Sequence, residues 1–531
     1  MVAALPTLFT KPKTDWSQYQ PRPYSRSEFS VGRDFVKVNG RDSIRHFAAG
    51  RMALWGFVPL GMIVCWKYAK AVSRESAWLA VALFSLSPSF LAFATIITPD
   101  VGAAVLGCLA VYRFRSWLIE VSWENTAWLG VTTGLALATK FTWCVVFPVT
   151  ALVVLPVWRW VGKPTRIVSR DIVHLAGAAT IAIWVVNLTY GFDNTLTPLG
   201  EIEFVSSTFA GEDPLEATGN RFRDTTLGRL PIPLPKLYLQ GIDIQKRDFE
   251  RGYRSYLMGT WSDHGWWYYY LAAMLVKMPH ATQVLLVMAA FGLLSRKAAP
   301  EQRREYLLLL TPPVLIIALV SSQTGFNHHM RYVLPAFPFL YIFAARAWSM
   351  SKSWRKLTVL LLIWQATSVL WYAPHWLSYF NECSGGPREG HWWLVDSNID
   401  WGQDVLALRD WQKGHPDVLL RAALFTSVDP VDLGLRFELP PPYQPDKPEI
   451  TDASGKRGPQ PGWYAISACQ LRGHHFWIPG GTDSGMQSEG HFTYFQLLEP
   501  KETIGYSIYI YHVTKEQADS ARDVLQQRNS R

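Results

Sequence analysis

The sequence predicts an α-helical polytopic membrane protein, about ten transmembrane helices followed by a small α/β soluble C-terminal domain. Three observations lead there. Of the 531 residues, 49% are hydrophobic and 18% charged, with 25 Trp, 22 Tyr and 27 Phe. Apolar runs of 17 to 21 residues recur almost without charge, and a helix of that length crosses the hydrocarbon core of a bilayer. From residue 374 onward the composition turns mixed and polar, punctuated by Pro and Gly in "LPPPYQPDKPE" and "SGKRGPQPGWY".

The runs fall at roughly 52–68, 77–97, 101–118, 127–139, 141–158, 172–190, 272–294, 306–322, 332–347 and 357–373. Alternate connections between them are basic: Lys67, Lys70 and Arg74; Arg113 and Arg115; Arg159, Lys163, Arg166 and Arg170; Arg296, Lys297, Arg303 and Arg304; Arg346, Lys352, Arg355 and Lys356. The opposite short loops hold little charge: "TPD" at 98–100, Lys140 at a tight turn, and "SSQTGFNHHMR" at 321–331. Short basic loops stay cytoplasmic, so residues 191–271 are expected to form a large external loop and residues 374–531 an external domain. The transmembrane domain is then 51–373, and residues 1–50 an external segment. Those first residues carry Lys11, Lys13, Arg22, Arg26, Arg33, Lys37, Arg41 and Arg45 and no signal peptide. A transmembrane helix upstream of Met1 accounts for their translocation and makes "MVAALPTLF" the remnant of a loop.

In the soluble tail, "WGQDVLALRDWQKGHP" places apolar residues at 401, 405, 408 and 411 and ends in Gly414 and Pro416, a short amphipathic helix. "GWYAIS" and "IGYSIYIYHV" are β-branched and aromatic runs that predict strands. "DSNIDWGQD" at 396–404 imitates a calcium loop, but Trp401 and Ala407 stand where an EF-hand needs Gly and Glu. Asp400 and Gln403 instead suit a capping box at the helix start, with Asp396 and Asp404 left as lesser candidates for contact with substrate or metal. The five cysteines form no CxxC pair, and no His cluster has zinc spacing. A net charge of +9 resides in short loops rather than on one patch, which argues for membrane topology and against nucleic acid.

"YFNECSGGPREGHWWLVDSNIDWGQD", "GYRSYLMGTWSDHGWWYYYLAAMLVKMP", "NHHMRYVLPAFP" and "GLALATKFTW" resemble bacterial polyprenyl-phosphate-dependent glycosyltransferases related to glycosyltransferase family 39. That group includes protein O-mannosyltransferases and the lipid A aminoarabinose transferase. The resemblance runs over nearly the whole chain and implies a membrane fold of GT-C type. It implies transfer of a sugar from a polyprenyl-phosphate donor to an external acceptor, whether protein, lipid or glycan, with a divalent metal as an optional cofactor. It further implies a multi-pass location in a bacterial plasma membrane. The family's catalytic Asp sits in the first external loop, a position that would lie upstream of Met1, so no residue here inherits that role. Two alternatives remain: a non-catalytic relative that binds the lipid, and a transporter. The chain shows no internal repeat of the kind many transporters carry.

Such chemistry needs a carboxylate to accept the acceptor's proton and cations to stabilise the departing phosphate. Arg51 and Arg331 each stand at an external helix end and suit donor phosphate binding, against a simpler role of reaching lipid headgroups. Lys277, flanked by apolar residues, is a third candidate for the phosphate. Asp100 is a candidate for positioning substrate, with helix N-capping as its competing role. His264 in "SDHGWWYYY" belongs to an expected aromatic belt, His328 and His329 make a poor chelating pair, and the Asn187 sequon is expected to be buried.

Overall fold

The computed structural model describes residues 2–15, 27–160, 169–211, 218–295, 299–452, 454–481 and 485–529. Arg22, Arg26, Lys163, Arg166, Arg296 and Lys297 of the charge pattern lie outside the described residues. The chain forms two compact units, Leu54–Ser255 with Ser262–Trp371, and Met1–Ala53 with Tyr256–Trp261 and Tyr372–Arg531.

The first unit is helical: α1 (Phe57–Val72), α2 (Asp100–Ile119), α3 (Trp123–Thr139), α4 (Thr142–Trp160), α5 (Ser169–Thr189), α6 (Lys236–Arg251), α7 (Tyr269–Lys277), α8 (His280–Ser295), α9 (Pro300–Ser321) and α10 (Lys352–Trp371). Among the described residues five helical stretches are long and apolar enough to cross a membrane, or six if α7 and α8, bent by 116°, form one span. This is fewer than the apolar runs suggest, for identifiable reasons. The run at 77–97 breaks into Ala77–Ser85 and Pro88–Phe93, where Pro88 cannot donate to a continuing helix. The run at 332–347 is divided between the 3-10 segment Met330–Ala336 and the helix Phe337–Ala345. Leu152, Val287, Leu294 and Trp371 are largely exposed, as lipid-facing side chains are.

α2 is the buried centre of this unit, and small residues along it admit its neighbours. A side chain at Gly107 would overlap the Trp143 ring, whose Nε1 donates to the Ala103 carbonyl at 2.9 Å. α3 and α5 meet at Gly130 and Gly134 in the same way: a Cβ at Gly134 would stand 2.7 Å from the Ala182 carbonyl oxygen. Close backbone approach of this kind is how helices associate where lipid offers no hydrophobic drive.

The second unit holds the helices Ser27–Asn39 and Ser43–Leu54 together with the C-terminal domain. That domain is built on α11 (Val405–Gly414) and the strands β1 (Leu420–Ala423), β2 (Gly462–Ser467), β3 (Glu502–Ile504) and β4 (Ile508–Val513). The sheet order is β1-β2-β4-β3, with β1 parallel to β2 and the other pairs antiparallel. "GWYAIS" is β2 residue for residue, whereas "IGYSIYIYHV" splits at a turn where Gly505 and Tyr506 both take positive φ. Val405 and Leu408 of α11 pack on Leu420, Ala422, Ala465, Ile508 and Ile510.

The helix starts later than the capping box predicts. Its N-cap is Asp404, without a side-chain cap bond, and Asp400 lies in the preceding turn, where its Oδ1 accepts from the Gly402 amide at 3.0 Å. Gln403 Oε1 accepts from the Trp401 amide instead of reaching back to residue 400.

Candidate functional site

Asp100 opens α2 directly after Pro99, and its carboxylate does not cap its own helix. It is 1% exposed, and a carboxylate so placed is costly unless cations meet it. Lys140 Nζ stands 2.7 Å from Oδ1 and Arg331 Nη1 3.2 Å from Oδ2. The capping role that competed for Asp100 is thus not what the fold uses. Lys140 reaches it because α3 stops at Thr139 and the chain runs extended through residue 140 before α4 begins at Thr142. Arg331 comes from the 3-10 segment Met330–Ala336, which packs against α2. Two cations on one anion leave the group with an excess positive charge.

Tyr332 joins them. Lys140 Nζ is 5.0 Å and Arg331 Cζ 5.3 Å from its ring centroid, and the ring stacks on Phe326 at 5.8 Å. Lys140 and Tyr332 form part of the wall of a cavity of about 310 Å³. Phe141 just before α4 and Cys144 and Val145 in its first turn contribute, α6 contributes Ile242 and Phe249, and the end of α9 contributes Leu319 and Val320. A mostly apolar chamber with cations at its wall suits an amphiphile with an anionic head.

Of the residues proposed from sequence, the fold brings Asp100 and Arg331 together. Lys277 is elsewhere: it is the last residue of α7, buried, immediately before the bend at Met278 and Pro279. Arg51 is an exposed residue of the helix Ser43–Leu54, in the other unit. Asn187 is 3% exposed, with Nδ2 donating to the Ile183 and Pro233 carbonyls and Oδ1 accepting from Thr195, so the sequon is inaccessible. In "SDHGWWYYY", Trp267 is exposed while Tyr269 and Tyr270 are buried, their hydroxyls donating to the carbonyls of His328 and Phe326. The sequence marks Lys140 only as a charge at a tight turn and gives Tyr332 no distinction. The available signal was a lone Lys between two apolar runs, a charge that needs a partner or water.

The C-terminal acids form a separate knot. Asp396 has φ of 60°, a region sparsely used by residues other than Gly; its Oδ2 lies 3.4 Å from His474 Nε2, and its amide donates to Cys469 Sγ at 3.2 Å. Burial, seconded by the neighbouring Asp404 and Asp396 carboxyls, pushes Asp400 well above the usual carboxylate range, against the Gly402 amide bond. Burial also raises Asp404, against the Ser507 hydroxyl, which donates to its Oδ2 at 2.6 Å, and the nearby His375. These contacts join α11, the turn between β3 and β4, and the segment before α11, which is structural work. Among the described residues no group of three or more His, Cys, Asp or Glu side chains is arranged to hold a metal ion.

Residues 43–195 match the family Dolichyl-phosphate-mannose-protein mannosyltransferase. No curated protein matches the chain. Among solved structures, the chain is similar to ArnT from Cupriavidus metallidurans in the apo state, at 13% identity and a TM-score of 0.42, over 97% of this chain and 93% of that one. It is similar also to the same protein bound to undecaprenyl phosphate, at 13% identity and a TM-score of 0.41, over 92% and 87%. The family match covers Asp100 and Lys140 and stops short of Arg331 and Tyr332.

Proposed function

We propose that this chain, related over residues 43–195 to the dolichyl-phosphate-mannose-protein mannosyltransferases, is an integral membrane glycosyltransferase that takes its sugar from a polyprenyl-phosphate donor. The observation that carries this reading is the Lys140–Asp100–Arg331 group standing against an apolar cavity. In such a transfer the bond between the anomeric carbon and the phosphate oxygen breaks as the acceptor's hydroxyl or amine attacks that carbon, and the proton the acceptor loses passes to the departing phosphate, whose second pKa is about 6. Negative charge then gathers on the departing lipid phosphate. Lys140 and Arg331 supply positive charge where it develops, and fixed charges in a site shielded from water act strongly on a transition state. Asp100 has both oxygens engaged by cations, which suits it to hold them in place rather than to take the acceptor's proton. The apolar chamber accepts the first part of the prenyl chain. The acceptor is external under this reading, since Asp100 and Lys140 stand at the charge-poor ends of their helices.

The test is made on the purified chain reconstituted in vesicles with a radiolabelled polyprenyl-phosphate sugar and cell-envelope acceptors. Labelled product is expected, falling on the order of a hundredfold in Lys140→Met, the usual cost of removing one preorganised stabiliser. A second readout needs no turnover. Cys144 lines the cavity and Cys383 is the exposed cysteine, so in a Cys383→Ser background maleimide labelling of Cys144 should be blocked by a polyprenyl phosphate. Labelling unaffected by that lipid, together with absence of transfer, would overturn the proposal, and sugar uptake without transfer would favour a transporter.

A further inference from the structure

The cavity has a second cation, and its placement is not accounted for by the Asp100 group. α6 presents Ile242, Gln245, Lys246 and Phe249 to the chamber, positions i, i+3, i+4 and i+7 that form one stripe of a helix. The helix is pressed close, since a Cβ at Gly241 would stand 2.8 Å from the Phe141 ring. Its other contacts hold it from outside the chamber. Asp243 accepts from the amides of Val205 and Ser206 at 2.6 and 3.0 Å, and Glu250 from those of Ser207 and Thr208 at 2.7 and 3.1 Å. α6 is therefore anchored by charge-assisted bonds to backbone while one stripe walls the cavity. Lys246 Nζ lies 3.6 Å from Glu250 Oε1, an ionic contact too long for a good hydrogen bond. Glu250 is committed to the 207–208 amides, so the Lys246 ammonium can turn to a stronger anion without dismantling the anchor.

We infer that Lys246 is a donor-positioning residue, which draws the phosphate of the lipid donor toward the α6 wall of the cavity, where Lys140 supplies the other positive charge of the lining. This rests on the donor reading above. Phosphate outcompetes Glu250 for Lys246 because it offers several oxygens and up to two charges within a chamber where, among the described residues, Lys140 is the other charged residue of the wall. No covalent step is assigned to Lys246, whose effect falls on binding.

The experiment uses the full chain with Cys383→Ser, with Cys144 labelling as the readout and two probes, a polyprenyl phosphate and the corresponding polyprenol. For Lys246→Gln the concentration of polyprenyl phosphate giving half-protection should rise about tenfold, as loss of one charged hydrogen bond implies. Protection by polyprenol should not change, and Lys246→Arg should restore the phosphate dependence to within about threefold of the unsubstituted chain, since the charge is kept. In transfer assays Lys246→Gln should raise KM for the donor with kcat little altered, the pattern of lost uniform binding. A Lys246→Gln variant that shifts both probes alike points to a structural role and overturns the inference, as does one that shifts neither. If polyprenyl phosphate fails to protect Cys144 in the unsubstituted chain, the donor reading itself falls and this inference with it.

Discussion

Asp400 is 1% exposed inside the C-terminal domain, and burial holds its proton on to pH values well above the usual carboxylate range. An unfolded aspartate loses its proton near pH 3.9. Above that point the folded state binds more protons than the unfolded one, so the contribution of Asp400 is full below about pH 3.9 and declines as pH rises. Asp400→Asn keeps an oxygen for the Gly402 amide and removes the titration. Thermal unfolding of the detergent-solubilised chain between about pH 4 and 7 should therefore show a shallower decline in this variant and a higher Tm at neutral pH. An unchanged slope would count against the assignment, and Asp404, also raised by burial, leaves a residual slope in either case. The same residues show what was legible at this scale. Arg331 and Asp100 stand out in the sequence as charges at helix ends, but their pairing does not, because the partners of Asp100 lie 40 and 231 positions away. Asp400 suits a cap by local spacing alone; its capture by the domain interior depends on a fold that spacing does not contain.

At the scale of elements, close helix approach is set by single glycines. Gly134 faces the Ala182 carbonyl across the α3–α5 contact at a distance no Cβ tolerates, and the obstacle is backbone rather than a flexible side-chain tip. Gly134→Leu should push the helices apart and lower stability by about 1–3 kcal/mol, the usual range for overpacking. The monodisperse fraction surviving heating in detergent reports it, and a fraction equal to that of the unsubstituted chain would show that the contact yields cheaply. The helices themselves are readable where a long apolar run stays continuous, as in α2 and α5, and also in α4 and α9, which carry Pro148, Pro156, Pro312 and Pro313 without breaking. The run at 77–97 has the right length but not the continuity, because Pro88 interrupts its hydrogen-bond ladder. β2 was readable because turn residues bound a β-branched and aromatic run, while β3 and β4 merged in the reading because Tyr506 is a residue that seldom marks a turn.

At the scale of the whole molecule, charge asymmetry makes a statement that labelling can check. If the basic loops are cytoplasmic, the domain from residue 374 onward lies outside, and Cys383 is its exposed cysteine. A membrane-impermeant maleimide added to intact cells should label the chain, and Cys383→Ser should abolish most of that labelling. Labelling that requires cell lysis would invert the topology.

The bend between α7 and α8 bears on the surrounding lipid. The two helices are nine and sixteen residues long, about 14 and 24 Å at a rise of about 1.5 Å per residue, and both fall short of a hydrocarbon core of about 30 Å. Turned by 116° against each other, they cannot add their lengths along one direction. Where lipid borders such a pair, a thinner bilayer is the better match to its reach, so reconstitution in lipids of graded acyl length, with transfer as the readout, tests whether membrane thickness acts on the protein.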